Sequence, residues 1–300
     1  MRDDRVKSNS LLGVLSLLLM AIITLADSSL GVNPDRRVTV HNQGNIQLVI
    51  NNRGIIAGNE FDDPVADPFS GDYVNACIYP RNSGLIYELY ATLAVGGVVD
   101  GDTLASHREF NPDMAPFGAF EYQSLDINKR EIMSTHARSE LDIICHYYDT
   151  ITSPALVWQG SCDVRHTPLN LRVLQRSMAW SGGSLDDFVL FDFVIQSTGN
   201  RVIDNVYIGF EISNMVTHES RKDDFGEYWG PLIGFLKDHS SLEGCGHKDK
   251  AEIVYIMDND GDPVEGIFNR QSPLGAVGLM FLGSPDNDVK VSFNWKTWGD

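Results

Sequence analysis

The stretch "DDFVLFDFVIQSTGNRVIDNVYIGFEIS", residues 186–213, decides the fold class. Residues 188–195 carry apolar side chains on both alternating faces, which is typical of a central strand covered on both sides. The Ser-Thr-Gly-Asn sequence at 197–200 predicts a turn. Residues 206–212 then place an apolar side chain at every second position, as in a return strand with one buried face. The stretch therefore predicts two successive β-strands.

Short apolar alternations of this kind recur through the chain after residue 26, and helical periodicity is almost absent. Turn residues at 43–45 and at 100–101 predict two hairpins. Further strands are predicted at 141–152, 169–180, 251–258, 275–283 and 289–295. Only the segment 123–142 has room for a short helix. We therefore expect an all-β protein of β-sandwich type.

Residues 1–26 differ from the rest of the chain. Basic residues at positions 2, 5 and 7 precede an apolar run at 11–26 that is short for a membrane span and ends in small residues. This pattern predicts a secretory signal peptide, with an uncleaved membrane anchor as the alternative. Residues 27–300 then form a β-rich body with no later run long enough to cross a bilayer. A cluster of turn residues at 158–168 predicts a boundary, either between two parts of one continuous body or between two domains.

Acidic residues outnumber basic ones in this chain, with 41 Asp and Glu against 23 Lys and Arg and a formal charge of -18. A surface of this sign repels phosphate backbones, so no nucleic-acid partner is expected. It is compatible with cations, with neutral glycans and with an extracellular environment. Together with the signal peptide, the charge predicts an extracellular or cell-surface protein whose partner is a glycan or a cell-surface protein.

Four cysteines, Cys77, Cys145, Cys162 and Cys245, lie in the predicted mature chain. Export permits disulfides, and four cysteines allow three pairings. Because Cys145 and Cys162 flank a short segment, we expect them to pair, which leaves Cys77 for Cys245. Four buried free thiols are the alternative. No CxxC motif is present, so the sequence supports neither a thiol redox motif nor a zinc ribbon.

The segment "FVIQSTGNRVIDNVYIGFEIS" resembles the strand–turn–strand core of immunoglobulin-like bacterial cell-surface and adhesion modules, with Ser197 where many of these modules have Asn. The order of the segments "VTVHNQGNIQLVINNRGIIAG", "CIYPRNSGLIYELYATLAVGGVVDGDTLAS" and "IMDNDGDP" looks like large bacterial secreted proteins, which often carry a type IX secretion sorting domain. The resemblance implies an immunoglobulin-like second half and a place at the cell surface. It carries no assigned activity.

The acidic stretch "MDNDGDPVEG", residues 257–266, follows an apolar strand and is the best candidate for a metal site. Asp258, Asp260 and Asp262 alternate along it, and Glu265 lies close in sequence. Calcium takes six to eight oxygen ligands from carboxylates and carbonyls in flexible loops. A cation would relieve the repulsion between these like charges. The alternative is a plain turn whose carboxylates face water.

An EF-hand is excluded for this stretch by two positions. Such a loop needs Gly at its sixth position for a sharp bend and a bidentate Glu at its twelfth. Here those positions hold Pro263 and Asn269. A calcium loop of another kind stays open beside the plain turn, with Asp258, Asp260, Asp262 and Glu265 as the candidate ligands.

The function that the sequence favours is non-catalytic: a secreted or cell-surface β-sandwich protein with a structural or adhesion role, stabilised by calcium. No GxSxG, GxGxxG or GxxxxGK[ST] motif is present. The alternative is a carbohydrate-active enzyme or glycan-binding module that uses the acidic and aromatic loop at 217–231. In that case carboxylates of Asp223, Asp224 or Glu227 would face one another across a cleft beside Trp229.

Overall fold

The structure is a computed structural model that describes residues 36–58, 64–88, 90–106, 114–150, 152, 166–213, 215–221, 231–239, 251–285 and 289–294. The predicted signal peptide and most of the predicted boundary at 158–168 lie outside these residues. Within the described part of the chain, no helix has the length and hydropathy that a membrane span requires.

Almost all of the regular structure is β-strand. The first strands are β1 (Val38–His41), β2 (Gln47–Asn51), β3 (Ile55–Ile56), β4 (Val65–Ala66), β5 (Tyr73–Val74), β6 (Cys77–Ile78), β7 (Leu85–Glu88), β8 (Tyr90–Val99), β9 (Asp102–Ser106) and β10 (Ala115–Pro116). The others are β11 (Glu121–Gln123), β12 (Leu141–Tyr148), β13 (Leu171–Ala179), β14 (Leu190–Ser197), β15 (Asp204–Ser213), β16 (Thr217–His218), β17 (Leu232–His239), β18 (Ala251–Met257) and β19 (Ala276–Met280). A short 3-10 helix spans Glu219–Arg221.

Within the described ranges, these strands form four antiparallel sheets. The nine-stranded sheet has the order β15-β8-β3-β2-β6-β7-β16, with β1 beside β2 and β9 beside β8. The five-stranded sheet has the order β10-β12-β13-β14, with β11 beside β12. Strands β17, β18 and β19 form a three-stranded sheet, and β4 and β5 pair as a two-stranded one. The prediction of an all-β fold is confirmed.

The two larger sheets share one hydrophobic core. Ile50 and Leu93 of the nine-stranded sheet and Ile143 and Val173 of the five-stranded sheet belong to the same buried cluster. A second cluster lies on the other face of β1 and β2, where the β4–β5 pair covers it. A third cluster contains Ile256 and joins the three-stranded sheet to β7. The immunoglobulin-like arrangement stays a prediction.

Both predicted hairpins are confirmed. Strands β1 and β2 pair across the turn at 43–45, and strands β8 and β9 pair across Asp100 and Gly101. These two turn residues have φ of 53° and 92°. Positive φ at both central residues is the requirement of a type I′ turn, whose twist matches that of the flanking strands.

The interpretation of residues 186–213 is only partly correct. Strands β14 and β15 are both present, but β14 pairs with β13 in one sheet and β15 pairs with β8 in the other. The two strands meet through their side chains, with the rings of Phe193 and Phe210 at 5.4 Å between centroids. Among the described residues β14 is an edge strand, and Val194 is 55% exposed. The expectation of a central strand is therefore wrong.

The short helix predicted within 123–142 is absent, and residues 125–140 form turns. Polar side chains there bond to nearby backbone N–H groups: Ser124 Oγ accepts from the N–H of Asp126, and Ser134 Oγ accepts from the N–H of His136. Such local bonds compete with a helix for the same donors. The strand predicted at 289–295 is also absent from residues 289–294.

The predicted bridge between Cys145 and Cys162 is not formed, because Cys145 is a free and buried thiol in β12. Burial raises its pKa to about 12, so the thiol stays protonated and unreactive. Cys77 is buried in β6. The other two cysteines, Cys162 and Cys245, lie outside the described residues.

Asp149 anchors the chain where β12 ends. Its side chain is fully buried and accepts three hydrogen bonds, from the Ser106 hydroxyl at 2.7 Å and from the N–H groups of Leu169 and Leu171 at 2.7 and 2.5 Å. The first of these bonds reaches the nine-stranded sheet and the other two reach the start of β13. One carboxylate therefore ties both large sheets together.

We expect the variant Asp149→Ala to lose about 3–5 kcal/mol of unfolding free energy, because three buried donors would lose their acceptor. Urea denaturation followed by circular dichroism measures this loss. The exposed Asp102, at the start of β9, provides the control, and Asp102→Ala should change the stability by about 0.5 kcal/mol or less. Equal stability of the two variants would contradict the proposed role of Asp149.

Candidate metal centre

The predicted acidic loop begins directly after β18, whose Ile256 is buried in the third core cluster. Asp258 is itself buried, and its Oδ1 accepts hydrogen bonds from the N–H groups of Asp260 at 3.0 Å and Gly261 at 3.2 Å. An Asp that bonds the backbone two residues onward makes an Asx turn. Asp258 therefore ends the strand and sets the direction of the loop.

Gly261 lets the loop fold back on itself. Its φ is 71°, and a Cβ at this position would lie 3.0 Å from Cδ2 of Leu274 and 3.1 Å from Cε1 of Phe268. A side chain would therefore meet both strain and crowding. The next residue, Asp262, also has positive φ, and its N–H donates to Asp260 Oδ1 at 3.0 Å. The turn directs three acidic side chains toward one another.

The carboxylates of Asp258, Asp260 and Asp262 form a compact group, in which one oxygen from each lies within 4.8 Å of the others. Asp258 is buried, Asp262 is half-buried and Asp260 is exposed. Glu265, the fourth predicted ligand, lies in the exposed turn between Val264 and Ile267 and does not belong to this group. The structure thus brings together three of the four predicted ligands.

Arg221, which sequence reasoning missed, contacts the group. Its Nη1 lies 3.1 Å from Oδ1 of Asp262, and it reaches the loop from the 3-10 helix at Glu219–Arg221. One guanidinium balances one of the three negative charges. No local signal in the sequence connects Arg221 with a loop about forty residues further along, so only the fold reveals this pair.

The loop is fixed to the nine-stranded sheet. The N–H of Gly275 donates to the hydroxyl of Tyr87 in β7 at 3.0 Å, and the hydroxyl of Ser272 donates to the carbonyl oxygen of Asp262 at 3.2 Å. Burial raises the pKa of Tyr87, and the negative charge of Asp258 adds to this shift. Ser272 therefore holds the Asp262 end of the acidic loop, and Tyr87 holds the segment that follows it.

This donor set is suited to a hard divalent cation. Calcium prefers oxygen ligands at 2.3–2.6 Å, as a general rule, and takes them from carboxylates, carbonyls and water. Asp258 and Asp260 each use Oδ1 for backbone N–H groups, which leaves the second carboxylate oxygen of each for an ion. Three carboxylates supply part of a calcium shell, and backbone carbonyls and water would complete it.

The second acidic loop of the sequence, at 62–72, has a structural role where it is described. Asp67 is buried, and its Oδ2 accepts from Nδ2 of Asn42 at 3.0 Å and from the hydroxyl of Ser70 at 2.7 Å. Asp72 accepts from the same Asn42 amide and lies 3.5 Å from Arg81. These protein donors occupy the carboxylates, so the loop caps one end of the first hairpin.

The residues of the alternative, glycan-directed hypothesis lie outside the described part of the chain. This applies to Asp223, Asp224, Glu227 and Trp229. The segment before them is described and forms β16 and the 3-10 helix that carries Arg221. The glycan-directed hypothesis therefore stays a prediction.

Comparison of the chain with protein-family models, with curated proteins and with solved structures finds no match. Functional inference for this protein therefore depends on the geometry of its own residues.

We expect Asp258→Ala to destabilise the protein by about 1–3 kcal/mol without any added metal, because two backbone N–H groups lose their acceptor. Asp258→Asn keeps an acceptor oxygen in the same place and should retain most of the stability. Urea denaturation in the presence of a chelator measures both values. Equal losses for the two variants would show that the charge of Asp258, and not its hydrogen bonds, stabilises the turn.

Proposed function

We propose that this protein is a secreted or cell-surface, non-catalytic β-sandwich protein with a structural or adhesion role, and that calcium binds at Asp258, Asp260 and Asp262. The observation that carries the proposal is the group of three carboxylates within 4.8 Å of one another. Like charges at this separation repel, and a bound divalent cation reverses the sign of their contribution to stability.

The rest of the molecule is consistent with a scaffold role. Two large sheets share one buried core, which is the arrangement that a β-sandwich requires. Exposed apolar side chains on the three-stranded sheet, among them Leu232, Leu236 and Met280, offer a surface for a cell-surface protein or a glycan. Exposed apolar patches of this kind mark interaction sites in soluble proteins.

A calcium site of modest affinity is consistent with an extracellular location. Calcium sites of extracellular modules have dissociation constants of about 10⁻⁴–10⁻³ M, since calcium outside cells is abundant. The Asp258–Asp262 loop offers three carboxylates, one of which already contacts Arg221. Such a partly compensated group fits a weak site that is filled outside the cell.

Calcium should raise the melting temperature of the protein, because a ligand of the native state stabilises it by mass action. At a free calcium concentration 100-fold above the dissociation constant the gain is about 2.7 kcal/mol, or roughly 5–10 °C for a chain of this size. Differential scanning calorimetry with calcium, magnesium or a chelator measures the effect. Asp260→Ala should abolish the response, and Asp102→Ala should leave it unchanged.

Arg221→Met is expected to strengthen calcium binding, whereas Asp260→Ala is expected to abolish it. It removes the positive charge beside Asp262, so the calcium response should begin at a lower calcium concentration than in the wild type. A wild-type response in Asp260→Ala would overturn the calcium site. A weaker response in Arg221→Met would show that the arginine supports the site and does not compete with the ion.

The export part of the proposal has its own test. When the full chain is expressed in a bacterial host, the mature protein should begin at Asp27, directly after the predicted signal peptide. Intact mass and N-terminal sequencing of the exported protein measure this. A protein that keeps residues 1–26 and stays with the membrane fraction would support the uncleaved anchor instead.

A further inference from the structure

His41 is buried where the two large sheets meet. It is the last residue of β1, and its side chain is fully buried. Its register partner in β2 is Leu48, which belongs to the core that the two sheets share, whereas the neighbouring Val40 belongs to the second cluster on the opposite face. Residues directly opposite each other in an antiparallel pair point to the same face. The ionisable ring of His41 therefore lies between the two sheets.

One ring nitrogen joins the sheets through a hydrogen bond. Nε2 of His41 lies 2.8 Å from Oγ of Ser177 in β13, and both side chains are fully buried. The Ser177 hydroxyl donates its single proton to the carbonyl oxygen of Ile143 at 3.2 Å. Its oxygen is then left to accept a hydrogen bond, so Nε2 carries the proton of the neutral ring. Nδ1 is consequently the nitrogen with the lone pair.

The second ring nitrogen of His41 has no acceptor for a proton. Nδ1 is buried and has no hydrogen-bond partner among the described residues. Protonation would turn it into a donor without an acceptor and would add a positive charge to the interior, and both changes are costly there. The opposite tautomer gives the same result, because a protonated ring has two N–H groups and Ser177 can accept from only one of them.

Nearby charges do not compensate for an added proton on His41. Burial is the main cause that lowers its pKa, to about 3, while the bond to Ser177 opposes the shift. The positive charge of Lys129 lowers the pKa further, and the negative charge of Asp67 raises it. Asp67 already accepts hydrogen bonds from the amide of Asn42 and from a serine hydroxyl. These two charges therefore act in opposite directions on the ring.

The strands packed against His41 bring no further charge to it. Strands β2 and β4 contain no ionisable side chain. In β13, Arg172 and Arg176 have the opposite parity to Ser177 and so lie on the outer face, where Arg176 pairs with Asp142. The ionisable groups on the core side of β11 and β12 are two phenols and a thiol, and burial raises the pKa of each of them: Tyr122, Tyr147 and Cys145.

We propose that His41 makes the contact between the two large sheets acid-sensitive, so that protonation of its ring releases the β1–β2 hairpin from the five-stranded sheet. The folded chain favours the neutral ring, and the unfolded chain takes up the proton first as the pH falls. The stability that depends on the neutral ring is therefore fully present above the ordinary histidine pKa of about 6.5. It is lost progressively as the pH falls from there toward about 3. This inference does not depend on the calcium proposal.

Release is expected to begin at β1 because this strand lies at a margin of the described sheet. It pairs with β2 alone among the described strands. Two of its polar side chains reach the five-stranded sheet: His41 contacts Ser177, and Thr39 accepts from the hydroxyl of Tyr122 at 2.9 Å. Segments at the margins of a sheet open more easily than its centre. Loss of the His41 contact should therefore open the hairpin before the rest of the core.

Urea denaturation between pH 4.5 and pH 8, with a chelator present, tests the proposal on the full chain. His41→Gln keeps an N–H donor for Ser177 and cannot be protonated. Relative to this variant, the unfolding equilibrium constant of the wild type should rise about tenfold per pH unit below 6.5, or roughly 100-fold at pH 4.5. Carboxylates titrate in both proteins, so their contribution cancels. His136→Gln, at an exposed position before β12, should follow the wild type.

NMR of the histidine rings tests the wild type directly, even if His41→Gln does not fold. The His41 ring should stay neutral, with the proton on Nε2, down to about pH 5, whereas His136 should titrate near the ordinary value of about 6.5. Hydrogen exchange at pH 5 should be faster in residues 38–51 of the wild type than in those of His41→Gln.

Three results would overturn the proposal. The first is a His41 ring that titrates near pH 6.5 in the folded protein. The second is a wild type whose stability follows the same pH profile as His41→Gln. The third is acid-induced hydrogen exchange that leaves residues 38–51 protected while the rest of the core opens.

Discussion

The packing of two sheets against one another is the constraint on which the rest of the structure depends. Ile50 and Leu93 on one side and Ile143 and Val173 on the other are almost completely buried in the shared core. Full burial of such a side chain contributes about 1.5–3 kcal/mol. A carboxylate cannot enter this core without partners, so the acidic side chains of the described residues are left mainly for strand ends, loops and outer faces.

Loops that close over such a core bring backbone N–H groups with them, and acidic side chains satisfy many of these donors. Asp142 is fully buried, accepts from the N–H groups of Arg138 and Ser139, and lies 2.9 Å from Arg176. Asp149 does the same at the other end of β12. The Asp258–Asp262 loop differs because its three carboxylates approach one another, and this difference is why it is the candidate site for a cation.

Features that depend on local chemistry could be predicted from the sequence, and features that depend on distant pairing could not. The β8–β9 hairpin follows from Asp100 and Gly101 alone, since both tolerate positive φ. An alternating pattern identifies β15 as a strand but does not name its neighbour, and the true neighbour is β8, about one hundred residues earlier. The same limit applies to the site. The alternating spacing of Asp258, Asp260 and Asp262 predicts a shared site from the sequence alone. The contact between Arg221 and Asp262 depends on the tertiary fold and could not be predicted in this way.

Arg221 and Lys129 both lie beside acidic residues at loops. Their side chains differ in chemistry and therefore make different contacts. The guanidinium of Arg221 does not lose its proton in proteins, so it can only pair with Asp262 or give way to another cation. The amine of Lys129 is half-buried against Phe69 and Gln43, and burial lowers its pKa. Lys129 therefore meets its neighbours through a hydrogen bond to the Gln43 side chain and a contact with the Phe69 ring, whereas Arg221 meets Asp262 through a reversible ion pair that a divalent cation can replace.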